Sequence, residues 1–371
     1  MKALTYVKST LKNNAVTFIA LTVALITAFF VPPDKEYLGY FDFKTLTCLF
    51  SVLAVVCALR GVRFFYTLAR KIVKCFKNAR GAVTGLVYIT FIGSMLIAND
   101  MALLTFLPLG YLVLHTTNKE KYLAFTFIMQ NIAANLGGML TPFGNPQNLY
   151  IYNLYGIQDL EFVSIMFFPF ILAIALITVC CMVFVKPEPL TLTGEDYNTP
   201  RWRVTVYLAL FAISILIVFD TVHYLIGLAI IFITLLILDR RALLNVDYGL
   251  LFTFVFFFIF SGNLARIDVV RSFFESLLSF NTLIVSALSC QIISNVPTAI
   301  LMSRFTDNYR ELLLGVNIGG VGTLISSLAS LITFREYTQI RPKETKKYIM
   351  TFSAFNFAFL FILLAFCLVI K

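Results

Sequence analysis

Nine apolar runs dominate this chain, each at least about as long as a helix needs to cross roughly 30 Å of hydrocarbon. They fall at 14–31, 43–60, 122–152, 162–185, 204–219, 222–238, 248–264, 307–334 and 348–370, and two further apolar stretches lie at 82–115 and 281–305. In lipid every backbone N–H and C=O must find a partner inside the segment, so runs of this kind fold as spanning helices. Only 13% of the 371 residues are charged. The fold class is an all-α polytopic membrane protein.

A net charge of +10 would suit a nucleic-acid binder if the basic residues clustered on one surface. Their distribution points elsewhere. With the N-terminus in the cytoplasm, the inner segments hold 22 of the 29 Lys and Arg residues and the outer segments hold 7. That split follows the positive-inside rule without moving any span, so the basicity is topological and argues against a nucleic-acid partner. The expected location is the cell (inner or plasma) membrane, multi-pass, with a cytoplasmic N-terminus and lipids as neighbours.

The densest basic stretch, RGVRFFYTLARKIVKCFKNAR (60–80), sets Phe, Tyr and Val at helical spacing and reads as an amphipathic helix on the cytoplasmic leaflet. RIDVVRSFFESLLSF (266–280) reads as a weaker counterpart on the other side. The first run has span length and no small-residue cleavage site after it, so no cleavable signal is expected. Seven Cys without a CxxC pair, and two His in all, argue against a zinc site; no cofactor is expected beyond a coupling ion, H+ or Na+.

One run is broken. NLGGMLTPFGNPQN (135–148) holds three Gly, two Pro and three Asn, and cannot continue as a regular helix. It has a partner, NIGGVGTLISSLAS (317–330), which pairs Asn135 with Asn317 and Thr141 with Thr323. Upstream of each lies a second matched pair, IANDMALL (97–104) and ISNVPTAI (293–300), in which Asn99 pairs with Asn295. Motif order is kept although the spacing shortens in the second half. Both termini of 82–115 face basic inner segments, whereas 281–305 lies between outer segments. They read as re-entrant hairpins entering from opposite faces, the pattern of inverted repeats in secondary transporters. The expected division is a first repeat at 1–185, a cytoplasmic linker at 186–203, and a second repeat with a connecting span at 204–371.

Non-helical backbone at membrane depth is tolerated where protein or a water-filled cavity surrounds it, and half-helix N-termini there attract anions. Two hairpin tips and two breaks would converge on one central site. Its expected solute-binding residues are Asn99, Thr141, Gly144, Asn145, Pro146 and Asn148 from the first half, and Ser294, Asn295, Thr298, Thr323, Ser326 and Ser327 from the second. The coupling ion is expected at Asp100, Asn99, Gly137, Asn295 and Gly319.

Each has a plainer reading. A Gly-Pro break in isolation is a packing kink. Asp100 in isolation is an N-cap for the next helix. The Ser and Thr hydroxyls in isolation bond back to helix carbonyls. Asp100 stands out because the other 18 carboxylates lie in or beside loops and interfacial segments, and an intramembrane carboxylate is a functional candidate by default. His115, His223 and Trp202 sit at span ends and read as interfacial.

At these residues the chain also resembles a known superfamily. TPFGNPQNLYIY (141–152), IANDMALLTFLPL (97–109), ISNVPTAIL (293–301) and GVNIGGVGTLISSLASLI (315–332) are similar to the ion-transporter superfamily. That group holds arsenite permeases, D-type sodium/proton antiporters and the citrate and dicarboxylate (SLC13-like) transporters; the likeness is greatest to a small bacterial branch described only as anion transporters. The resemblance implies a homodimer with a fixed scaffold and a moving transport domain. The dicarboxylate branch carries Ser-Asn-Thr at each tip, where this chain has Ala98-Asn99-Asp100 and Ser294-Asn295-Val296. The asparagines carry over and the threonines do not, which leaves H+ and Na+ both open. The expected function is a secondary active transporter of a small solute, an anion such as a carboxylate, arsenite or inorganic anion. The alternatives are a cation/proton antiporter, a passive channel, or an integral membrane enzyme on a lipid-linked substrate, for which no nucleophile–base pair is visible.

Overall fold

The computed structural model describes residues 15–73, 76–190 and 201–370, and nearly all of them are helical. The first half contains α1 (Ala15–Phe30), α2 (Phe43–Gly61), α3 (Phe64–Val73), α4 (Ala79–Ile97), α5 (Asn99–Thr116), α6 (Leu123–Gly137), α7 (Pro146–Tyr155) and α8 (Asp159–Phe184). After the linker come α9 (Arg201–Val218), α10 (Tyr224–Leu238), α11 (Arg240–Leu244), α12 (Tyr248–Ala265) and α13 (Asp268–Phe280). Then follow α14 (Thr282–Ile293), α15 (Asn295–Met302), α16 (Tyr309–Ile318), α17 (Leu328–Ile340) and α18 (Thr345–Ile370). The starts are local chemistry. Asp42, Asn78, Asp247, Asn281, Asn308 and Ser327 each accept a first-turn N–H and cap the helix that follows.

Seven helices among the described residues are long and apolar enough to cross a membrane. Two of the expected spans are shorter, α1 with 16 residues and α10 with 15, and two others are the broken pairs α6/α7 and α16/α17. The first hairpin is α4 and α5, with arms of 19 and 18 residues; the second is α14 and α15, with 12 and 8. The amphipathic α13 meets α14 at 118°, with Val269, Phe273 and Phe280 turned outward.

The expected helix at 60–80 is shorter. α2 runs on to Gly61, Arg63 takes a positive φ, and α3 ends at Val73. The reason is non-local. Lys77 and Ala79 exchange backbone hydrogen bonds with Leu190 and Glu188, so this segment joins the linker instead of continuing as helix.

Two sets of helices pack together. In the outer set α1 lies on α12, and α2 lies on α9 and α10, so each half lends a helix to the other. In the inner set α4 packs on α6 and α14 on α16, while α5 meets α17 and α7 meets α15 across the halves. Hydrophobicity gives helices no reason to associate in lipid, so close backbone approach through small residues does the work. A Cβ on Gly137 would collide with the Phe91 carbonyl, and one on Gly319 with Ala287 and its carbonyl. Ala287 occupies in the second hairpin the place of Phe91 in the first. Gly315 and Gly319 form a GxxxG step on α16, with Gly315 against Leu283 and Ser286.

At one end of the inner set, Glu188 ties the linker to the first hairpin. Its carboxylate accepts from Lys119 Nζ (2.8 Å), Lys121 Nζ (2.5 Å) and the Tyr122 hydroxyl (3.0 Å). Hydrogen bonds from Lys119 and then Lys121 hold its pKa down at about 2. A carboxylate depressed in the folded state contributes stability in full above the ordinary value of about 4.3, and loses it as pH falls toward the folded value. Glu188→Gln is therefore expected to melt below the native protein at pH 7. The difference should shrink steadily below about pH 4.3; a gap in melting temperature that stays constant down to pH 2.5 would contradict this.

Candidate functional site

The two hairpin tips have one geometry. Ala98 turns the first at φ 65°, ψ 150°, and Ser294 turns the second at φ 74°, ψ 158°. Non-glycine residues seldom occupy this region, which costs on the order of 1–3 kcal/mol per residue and needs over-determining surroundings. Those surroundings also repeat. The Asn99 N–H donates to the Gly144 carbonyl (3.1 Å), and the Asn295 N–H to the Ser326 carbonyl (2.9 Å). Asn99 Oδ1 accepts the Asp100 N–H and Asn295 Oδ1 accepts the Val296 N–H, both at 2.9 Å. Thr141 Oγ1 donates to the Met95 carbonyl (2.6 Å) and Thr323 Oγ1 to the Gln291 carbonyl (3.0 Å), each three residues before its tip turn. Asn135 and Asn317 each donate to the carbonyl four residues back. Each tip is docked on its own break by the same bonds.

The breaks then join each other. Asn145 Nδ2 donates to Asn135 O and Asn317 Oδ1, both at 3.1 Å, and Asn317 Nδ2 donates to Asn148 Oδ1 (2.6 Å). Asn99 Nδ2 donates to Asn135 Oδ1 (3.2 Å). Gly320 sits between Asn295 and Asn135, where a Cβ would lie 3.2 Å from Asn295 Nδ2 and 3.4 Å from Asn135 Oδ1. Asn99, Asn135, Asn145, Asn148, Asn295 and Asn317 thus form one buried cluster, none more than 3% exposed.

Other residues expected at the site are brought here but already bonded. Thr298 Oγ1 donates to the Ser294 carbonyl, and Ser326 Oγ to the carbonyls of Gly320 and Thr323. Ser327 caps α17 and Asn148 Nδ2 spans the carbonyls of Gly138, Met139 and Thr141. Pro146 is the first residue of α7, where its missing N–H costs nothing. Gly138 and Gly144 stack so closely that a Cβ on either would strike the other's backbone. The Gly137 and Gly319 backbones are packing surfaces, and the Gly319 carbonyl accepts from Gln291 Nε2 (2.9 Å).

Asp100 lies in the first turn of α5, at the position that Val296 takes in the second tip. It is 9% exposed, and its Oδ1 has no hydrogen-bond partner. Asn145 Oδ1 and Gln147 Oε1 are unpartnered too. Asp100 is the only acid, and there is no Lys, Arg or His, among the buried polar residues described.

The expected set missed Asn131, Asn356, Ser330 and Thr333. Asn131 Nδ2 donates to Ser330 Oγ and Asn356 Oδ1, and Thr333 Oγ1 donates to Asn131 Oδ1. The signal was present: Asn131 and Asn135 lie one turn apart on one face of α6, and Asn356 is the one amide in an apolar span.

A multi-pass helical membrane protein whose centre is two hairpin tips docked on two broken helices has the build of a membrane transporter. Comparison with known proteins agrees. The citrate transporter family (CitMHS) matches residues 6–309, and the chain belongs to that family. The match ends where α16 begins, before the second break. The chain is 32% identical over 319 residues to an uncharacterized transporter of Methanocaldococcus jannaschii, across 86% of this chain and 87% of that protein. It is 29% identical over 337 residues to the inner membrane protein YbiR of Escherichia coli, across 88% of each.

Proposed function

We propose that the protein is a secondary active transporter of a small anion of the carboxylate kind that its family's description names. The observation that carries this is the repeated docking of two tips on two breaks around buried asparagines. Four helix N-termini, those of α5, α7, α15 and α17, lie at these tips and breaks, and their dipoles can offset anionic charge without a fixed cation. Asp100 is the residue proposed to carry a coupling proton. The outer helices α1, α2, α9, α10 and α12 are the fixed scaffold, and the hairpins and broken helices are the body that moves between faces. A homodimer in the cell membrane is part of the same reading.

Purified protein in liposomes tests it, with pH and sodium gradients imposed separately against citrate, dicarboxylates, arsenite and inorganic anions. Accumulation of citrate or a dicarboxylate driven by a pH gradient is the expected result. Downhill flux alone would indicate a channel. The buried Asp100 carboxylate, whose Oδ1 has no hydrogen-bond partner, favours one second reading, a cation/proton antiporter; sodium-dependent proton movement with no anion present would establish that instead. The inverted arrangement has its own test. Single Cys probes in 116–121 should label from the cytoplasm and probes in 306–311 from outside, and labelling of both from one side would overturn it.

A further inference from the structure

Two amide side chains reach across the halves as a crossed pair. Asn131 stands on α6, the incoming arm of the first broken helix, and its bonds to Ser330 (3.3 Å) and Thr333 (3.4 Å) reach the start of α17 in the second half. Ser330 in turn meets the α17 cap, Ser327, through its N–H (3.2 Å) and its hydroxyl (2.9 Å). Asn317 stands on α16, the incoming arm of the second broken helix. Its bonds reach Asn145 and Asn148, the cap position and first turn of α7 in the first half. Asn131, Ser330 and Thr333 are fully buried and Asn317 is 1% exposed. No solvent can replace a partner there, so losing Asn131 strips the donor from Asn356 Oδ1 and losing Asn317 strips it from Asn148 Oδ1.

We propose that Asn131 and Asn317 are positioning residues for transport. Each holds the first turn of the opposite half's outgoing helix, and together they keep the two half-sites at one spacing. The consequence for transport rests on the function proposed above; the bonding pattern does not. A purely local role predicts the reverse pattern, with damage in the half that carries the substitution.

Hydrogen–deuterium exchange on the full-length protein in nanodiscs separates the two. Asn131→Leu should speed exchange of amides in 328–333 at least about tenfold and leave 146–151 unchanged. Asn317→Leu should do the opposite. Asn131→Ala removes the same amide without adding an apolar side chain, and should reproduce the Asn131→Leu pattern in a milder form if that variant fails to fold. In liposomes carrying labelled citrate, both Leu variants should raise KM at least about fivefold while the maximal rate falls less than about twofold. Faster exchange confined to the substituted half, spread evenly over both, or absent in both variants would overturn the proposal. If the native protein takes up no citrate, the substrate reading fails and the crossed exchange pattern alone decides this one.

Discussion

Asn99→Ala and Asn295→Ala are each expected to cut transport to below about a tenth of the native rate while expression and assembly stay unchanged. Each asparagine does two things at a strained turn. Its backbone N–H docks the tip on a break, and its side-chain oxygen accepts the next N–H, from Asp100 or Val296. Alanine keeps the first bond and removes the second, leaving a buried N–H unsatisfied at about 1–3 kcal/mol. Asn99→Ala also strips the donor from Asn135 Oδ1. The strained turn at Ala98 or Ser294 then loses a bond that holds it. Packing of α4 on α6 and of α14 on α16 lies away from the altered atoms, so the fold persists. Uptake into liposomes beside size-exclusion profiles checks this. A variant that transports at the native rate would show its tip to be structural only.

Asp100→Asn is expected to abolish accumulation driven by a pH gradient and to spare exchange of substrate across the membrane. The substitution keeps the size of the side chain at the first turn of α5 but removes the group that can take up and release a proton. Asp100 Oδ1 has no hydrogen-bond partner, so no structural bond is lost at that oxygen. The pseudo-equivalent Val296 shows that the tip geometry itself does not need a carboxylate at this position. Counterflow of labelled substrate measures exchange, and a pH-jump uptake assay measures coupling. If the Asn variant still accumulates substrate from a pH gradient, the coupling group lies elsewhere.

The sequence by itself determined the membrane class and the matched pairs of motifs. Apolar run length and the positions of Gly and Pro act over a turn or a span, so they are legible along the chain; the caps at Asp42, Asn78 and Ser327 are seen only in the structure. The docking of Asn99 and Asn295 followed from motif order. Tertiary structure decided the rest. Whether Thr298 or Ser326 is free or bonded to a carbonyl depends on how the backbone bends at a break. Lys77 left its helical pattern because the linker offered it a strand-like partner more than a hundred residues away. The bonds from Asn131 to Ser330 and from Asn145 to Asn317 span 199 and 172 positions. No local pattern encodes which amide meets which, because in lipid that choice is made by which small residues let two helices close, and only then do the buried amides find the partners they require.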